Sequence, residues 1–164
     1  MQEMFLARQP IVDRDAGLVA FELLFRSAHN TAAGVLDDTH STAQVIVNAF
    51  GEMGIAEVLG THKGFINVDA VFLHSDLIDL LPRQKVVIEL LETITIDASI
   101  IARCIELKSK GYTLALDDVV EFDDEIKALL NIVDIVKLDL IAINLKNAVA
   151  SIQADRKSGS LWHW

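Results

Sequence analysis

Glu22, Asn67, Glu89, Asp117, Asp118 and Lys137 each stand at or near the end of a short apolar segment: VAFELLF, GFINVD, KVVIELLE, YTLALDD and DIVKLDL. Carboxylates and an amide oxygen are hard donors, the kind that Mg²⁺, Mn²⁺ and Ca²⁺ prefer. A lysine beside them can hold a phosphate oxygen or orient a water. Several carboxylates in one pocket repel one another unless cations bridge them or their pKa values rise. Two divalent ions across a phosphodiester is the chemistry that suits such a set. Any single acid at a strand end is more often a helix N-cap or a solvated loop start. Its recurrence on five segments favours a site.

The elements that must position these groups alternate. Apolar segments over 18–25, 64–69, 85–92, 112–118 and 134–140 read as strands, and helical spacing fills the gaps between them. One helix is expected over 42–59, opened by the capping-box pattern Ser41-Thr42-Ala43-Gln44 and stopped at Gly60. A second is expected over 70–81, ending before Pro82, and a third from its N-cap Asp97 to Lys110 with Gly111 just beyond. A fourth spans 123–131, capped by Asp123, and a weaker helical pattern runs to about Gln153. Alternation of this kind means βα units around a parallel sheet, and near-continuous apolar strands mean that both sheet faces are covered.

Strand parity adds a second constraint, because alternate residues face opposite sides. Ala20 and Glu22 oppose Phe21, Leu23 and Phe25; Thr113, Ala115 and Asp117 oppose Leu114 and Leu116; Lys137 and Asp139 oppose Val136, Leu138 and Leu140. A barrel lumen lined by the first set and helices packed on the second would satisfy both. A complete (β/α)₈ barrel takes about 200 residues or more, and this chain has 164. The expected fold is therefore α/β, a partial or truncated (β/α) TIM-type barrel of about five to six βα units with a parallel core. Residues 1–153 form its one domain, and 154–164 form an irregular tail.

Composition removes several classes. The net charge of -10 leaves no broad cationic face for DNA or RNA. No apolar run approaches the ~18 residues of a membrane span, and MQEMFLARQP lacks a signal-peptide pattern, so a cytoplasmic location is expected. Zinc is not suggested: Cys104 stands alone, and His29, His40, His62, His74 and His163 lack metal-ligand spacing. Cys104 falls in a helical pattern and reads as a buried, inert thiol. The mean hydropathy of +0.38 and the unpaired edges of an incomplete barrel lead us to expect a homodimer or larger assembly.

The stretches Arg8-Gln9-Pro10-Ile11-Val12-Asp13 and Phe21-Glu22-Leu23-Leu24-Phe25-Arg26 resemble the opening of an EAL domain, the family that binds and hydrolyses cyclic di-GMP. Phe65-Ile66-Asn67-Val68, Ile88-Glu89-Leu90-Leu91-Glu92, Leu114-Ala115-Leu116-Asp117-Asp118 and Val136-Lys137-Leu138-Asp139 continue the match in order over residues 5–140. The wording around Arg8–Arg26 looks most like bacterial proteins in which an EAL-like domain precedes an HDOD domain. The resemblance implies that Glu22, Asn67, Glu89 and Asp117 ligate a first Mg²⁺ or Mn²⁺ and that Asp118 serves a second. It implies catalytic roles for Glu22 and Lys137, the latter at the attacking water or phosphate. Gln9, Arg26 and Asp139 would contact the nucleotide, Arg26 at a phosphate; read without the resemblance, Arg26 is equally a surface arginine.

The chain also departs from the family pattern. Val119-Val120-Glu121-Phe122 replaces the Phe-Gly-Thr-Gly-type loop that follows the paired aspartates, and no later segment supplies the family's further glutamate and glutamine. The tail RKSGSLWHW resembles nothing in the family, so the C-terminal part of the domain is expected to be missing. The favoured expectation is a degenerate cyclic di-GMP-binding or regulatory signalling module acting through protein partners. The alternatives are a Mg/Mn-dependent phosphodiesterase that opens cyclic di-GMP to linear pGpG, and an inactive fragment stable only as an oligomer.

Overall fold

The computed structural model describes residues 4–27, 46–47, 50–51, 54, 57, 59–120 and 122–138, without the side chains of residues 4–5 and 25–27. Six strands form one sheet whose spatial order follows the chain, β1 to β6. They are β1 (Met4–Val12), β2 (Leu18–Ser27), β3 (Lys63–Val68), β4 (Val86–Leu90), β5 (Thr113–Val119) and β6 (Ile135–Leu138). Between them lie α1 (Ala70–His74), a 3₁₀ turn (Asp76–Leu80), α2 (Ala98–Ser109) and α3 (Asp124–Leu130). Strands alternating with helices, with β2–β3 and β5–β6 parallel, make this a partial (β/α) TIM-type barrel. The chain divides into two compact units, residues 1–87 and 88–164.

In the first unit, β1 pairs antiparallel with β2, and Gln9 sits opposite Glu22. This strand was not expected from the sequence. Pro10 cannot donate to a ladder, and residues 7–10 are exposed, as suits an edge strand. The hairpin turns on Asp13, whose Oδ1 accepts from the backbone N–H of Asp15 (2.9 Å) and Gly17 (2.8 Å). A Cβ at position 17 would meet Asp13 Oδ2 at 2.9 Å, so only glycine fits without a shift there.

The parallel β2–β3 register sets Glu22 beside Phe65. Leu23, Ile66, Leu73, Ile78 and Val86 form the buried centre of this unit. The helix expected over 70–81 is in fact two pieces. Asp69 Oδ1 caps α1 at Phe72 N (2.8 Å), Ser75 turns extended (ψ 143°), and its Oγ accepts from Leu77 N (3.1 Å) to start the 3₁₀ turn. A hydroxyl next to an acid offers the backbone this local alternative to continuing the helix. Of the expected 42–59 helix, residues 46–47, 50–51 and 57 are described and helical, but Gly54 is not: its φ of 60° interrupts the helix; Ile46 and Phe50 are buried, and the Ser41 cap lies outside the described residues.

In the second unit, α2 begins where Asp97 Oδ1 accepts from Ser99 N and Ile100 N, both at 2.9 Å. It ends at Gly111, whose φ of 90° is the left-handed C′ position where glycine avoids the Cβ penalty. Ile100, Cys104 and Leu107 turn its apolar stripe inward. Asp123 caps α3 through Ile126 N (2.8 Å), with Asp124 and Glu125 in the first turn where the helix dipole favours anions. Asp134 starts β6: its Oδ2 accepts from Leu114 N (2.9 Å), and its two oxygens take Lys108 Nζ at 2.5 and 2.6 Å. The weak helix to Gln153 and the tail lie outside the described residues. No helix among the described residues is long and apolar enough to cross a membrane.

Candidate functional site

Each unit presents part of the chemistry. In the first, Asn67 lies two residues beyond Phe65 on β3, so parallel pairing puts its side chain on the same face as Glu22. Asn67 Nδ2 donates to Glu22 Oε1 at 3.1 Å. The other amide atom, Asn67 Oδ1, is buried and accepts no hydrogen bond. A buried carbonyl oxygen without a donor carries an uncompensated desolvation cost, and a hard cation is the kind of partner that would remove it. Gln9 stands across from Glu22 on β1 and is exposed. Arg26 pairs through its backbone with Phe5, its side chain being outside the described residues.

Phe21, on the opposite face of β2 from Glu22, anchors a stack that the sequence reading missed. The Arg8 guanidinium lies 5.1 Å from the Phe21 ring centre, and the His62 ring meets the same ring edge-on at 6.0 Å. His62 Nδ1 also lies 3.3 Å from the Val19 carbonyl oxygen, tying the entry of β3 to β2. Only the proximity of Arg8 to an aromatic across a hairpin could have signalled this, and the hairpin itself was not recognised.

In the second unit, Glu89 on β4, Asp117 on β5 and Lys137 on β6 share one face. Lys137 Nζ is 2.8 Å from Glu89 Oε1 and 2.8 Å from Asp117 Oδ1. The Glu89 side chain is 0% exposed, Asp117 11% and Lys137 28%. Burial works against the Lys137 ammonium, but hydrogen bonds to Asp117 and Glu89 outweigh it and hold its proton above the ordinary lysine range. Three charged groups in close contact thus form a nearly buried ion triad.

Asp118 follows with φ 45°, a left-handed conformation that aspartate tolerates better than most residues. The β5–β6 register shifts between Leu116 and Val119, so the strand bulges at the two aspartates. Neighbouring strand residues normally face opposite ways, yet Asp117 and Asp118 both line a cavity of about 220 Å³ within this unit. Asp139 lies outside the described residues. Among the described residues, no group of three or more His, Cys, Asp or Glu side chains has metal-holding geometry. The donors present are nonetheless hard oxygens, and Asn67 Oδ1 lacks a hydrogen-bond donor, so their chemistry fits Mg²⁺ or Mn²⁺.

No protein-family model matches the chain. It is 33% identical over 165 aligned positions to the cyclic di-GMP phosphodiesterase CdgJ of Vibrio cholerae, covering 98% of this chain and 37% of that protein. It is 34% identical over 142 residues to YuxH of Bacillus subtilis, covering 84% of this chain and 35% of that one. The chain thus spans about a third of the length of these curated relatives. Its fold matches that of the EAL-domain protein YkuI of Bacillus subtilis, solved with cyclic di-GMP and calcium, at a TM-score of 0.69 and 19% identity over 97% of this chain and 48% of that one. Sequence likeness along nearly the whole chain, together with this shared fold, makes the chain an EAL domain.

Proposed function

We propose that this EAL domain is a regulatory module that binds cyclic di-GMP without efficient turnover. The observation that carries the reading is the Lys137 contact with both Glu89 and Asp117 at 2.8 Å. An ammonium held between two carboxylates competes with a divalent ion for the same oxygens, so metal affinity is low. A neighbouring feature supports it: β5 continues to Val119, which is buried and pairs with Leu138, where active members of the family place a glycine-containing loop. Two β-branched residues after the aspartates restrict the backbone, which glycine would leave free to move.

A second reading, the Mg/Mn-dependent phosphodiesterase, is favoured by the retained donors and by the buried Asn67 Oδ1, which has no hydrogen-bond donor. In that case Glu22, Asn67, Glu89 and Asp117 would hold one ion and Asp118 a second. When bound, such ions polarise the phosphodiester and lower the pKa of an attacking water. Lys137 keeps its proton and orients that water or a phosphoryl oxygen. Gln9, Arg26 and Asp139 hold the nucleotide in either reading, and YkuI and CdgJ support cyclic di-GMP as that nucleotide. A turnover assay on the wild type and Glu22→Ala, with Mg²⁺ and with Mn²⁺, separates the two. Equal, background-level rates are expected; a wild-type rate that Glu22→Ala abolishes would establish the phosphodiesterase.

A further inference from the structure

The place of Lys137 between Glu89 and Asp117 depends on the register of β6, and that register has few fixings. β6 is four residues long and stands last in the sheet order, with β5 as its described neighbour. The two strands match at Ala115–Ile135 and Leu116–Val136, then slip so that Val119 faces Leu138. Asp117 and Lys137 both lie within the slipped stretch, so the ladder there constrains them weakly. Side chains alternate along a strand, so moving β6 by one residue would turn Lys137 to the other face and put Val136 or Leu138 in its place.

Ahead of the slip, Asp134 grips Leu114 twice. Its backbone N–H donates to the Leu114 carbonyl oxygen at 2.9 Å, and its Oδ2 accepts from Leu114 N at 2.9 Å. Lys108 Nζ, in the last turn of α2, orients the same carboxylate from 2.5 Å at Oδ1 and 2.6 Å at Oδ2. A shifted β6 would bring Val133 or Ile135 to this position, and neither side chain can accept a hydrogen bond. We propose that Asp134 is a positioning residue: by locking the start of β6 to Leu114 and Lys108, it sets the register that delivers Lys137 to Glu89 and Asp117. The consequence for metal affinity rests on the reading above, in which the Lys137 ammonium competes with a divalent ion; the positioning does not.

The test follows the Lys137 Nζ resonance in the full chain, labelled at lysine and kept metal-free at one pH, with Lys137→Met to assign it. Asp134→Ala should move most of its intensity to the position of a solvated lysine. Asp134→Asn keeps an acceptor for Leu114 N, and Lys108→Met keeps the carboxylate, so each should displace a smaller share. Should Asp134→Ala not fold, these two variants decide. Ile100→Val, a core change in α2, should lower stability and leave the resonance in place. A less stable Asp134→Ala with an unmoved Lys137 resonance would make Asp134 an ordinary structural residue and overturn the proposal. So would an equal displacement in Ile100→Val, or none in any folded variant. Mn²⁺ titrated into the same samples should bind about tenfold tighter to Asp134→Ala than to the wild type. A displaced Lys137 with unchanged Mn²⁺ affinity would support the positioning and refute the competition between ammonium and metal ion.

Discussion

Asn67 hands its amide hydrogen to Glu22 Oε1 across the parallel β2–β3 pair, 3.1 Å away, while its own carbonyl oxygen is buried without a donor. The bond fixes which end of the amide faces the glutamate and which remains for a cation. Asn67→Asp replaces the donor with a second carboxylate against Glu22. We expect a loss of about 1–3 kcal/mol in metal-free buffer, read from the urea midpoint. Adding Glu22→Gln should recover most of it, because an amide again faces a carboxylate. An unchanged midpoint in Asn67→Asp would show that the contact contributes nothing.

Lys137 is the second test. Lys137→Met leaves Glu89, 0% exposed, without its ammonium partner. Stranding one member of a buried ion pair costs about 3 kcal/mol or more. The double variant Lys137→Met/Glu89→Gln should be more stable than Lys137→Met alone, and chemical denaturation of the wild type, both single variants and the double variant measures the coupling. Additive effects would show that the two side chains do not interact.

Glu106, on α2, supplies a pH dependence of its own. Hydrogen bonds from Lys110 and Arg103 lower its pKa from 4.5 to about 2. A carboxyl with a depressed folded pKa stabilises fully above its unfolded value, and that contribution is lost as pH falls from about 4.5 towards 2. Glu106→Gln should therefore flatten the acid limb of the stability curve while leaving its shape above pH 5 unchanged. Identical acid limbs for the two proteins would contradict this.

Cys104 is buried, and burial raises its thiol to about 11, with Arg103 opposing weakly. The reactive species is the thiolate, so little of it exists at pH 8 in the folded protein. A thiol reagent should label Cys104 only at the rate at which the chain opens, and promptly in denaturant. Stoichiometric labelling within minutes in native buffer would show that the α2 face is accessible.

The legible parts of the fold were those with local chemical markers. Asp97, Gly111 and Asp123 fixed helix ends because capping needs only a carboxylate or a left-handed glycine at the correct offset. The parity of Glu22, Asp117 and Lys137 followed from strand periodicity, and Glu89, Asp117 and Lys137 do meet. β1 was missed because Gln9 and Pro10 interrupt its apolar pattern, although the Asp13…Gly17 turn was a usable hairpin signal. Neither the left-handed φ of Asp118 nor the ammonium shared between Glu89 and Asp117 was legible. Both depend on the β5–β6 register, which side-chain type does not encode.

The most direct test of the central reading mixes the chain with cyclic di-GMP and Mg²⁺, then follows bound nucleotide and linear dinucleotide in the same sample over hours. Saturable binding with no linear product beyond that made by Glu22→Ala is the predicted result. Linear product that accumulates in the wild type and vanishes in Glu22→Ala, or no binding at any concentration reached, would contradict it.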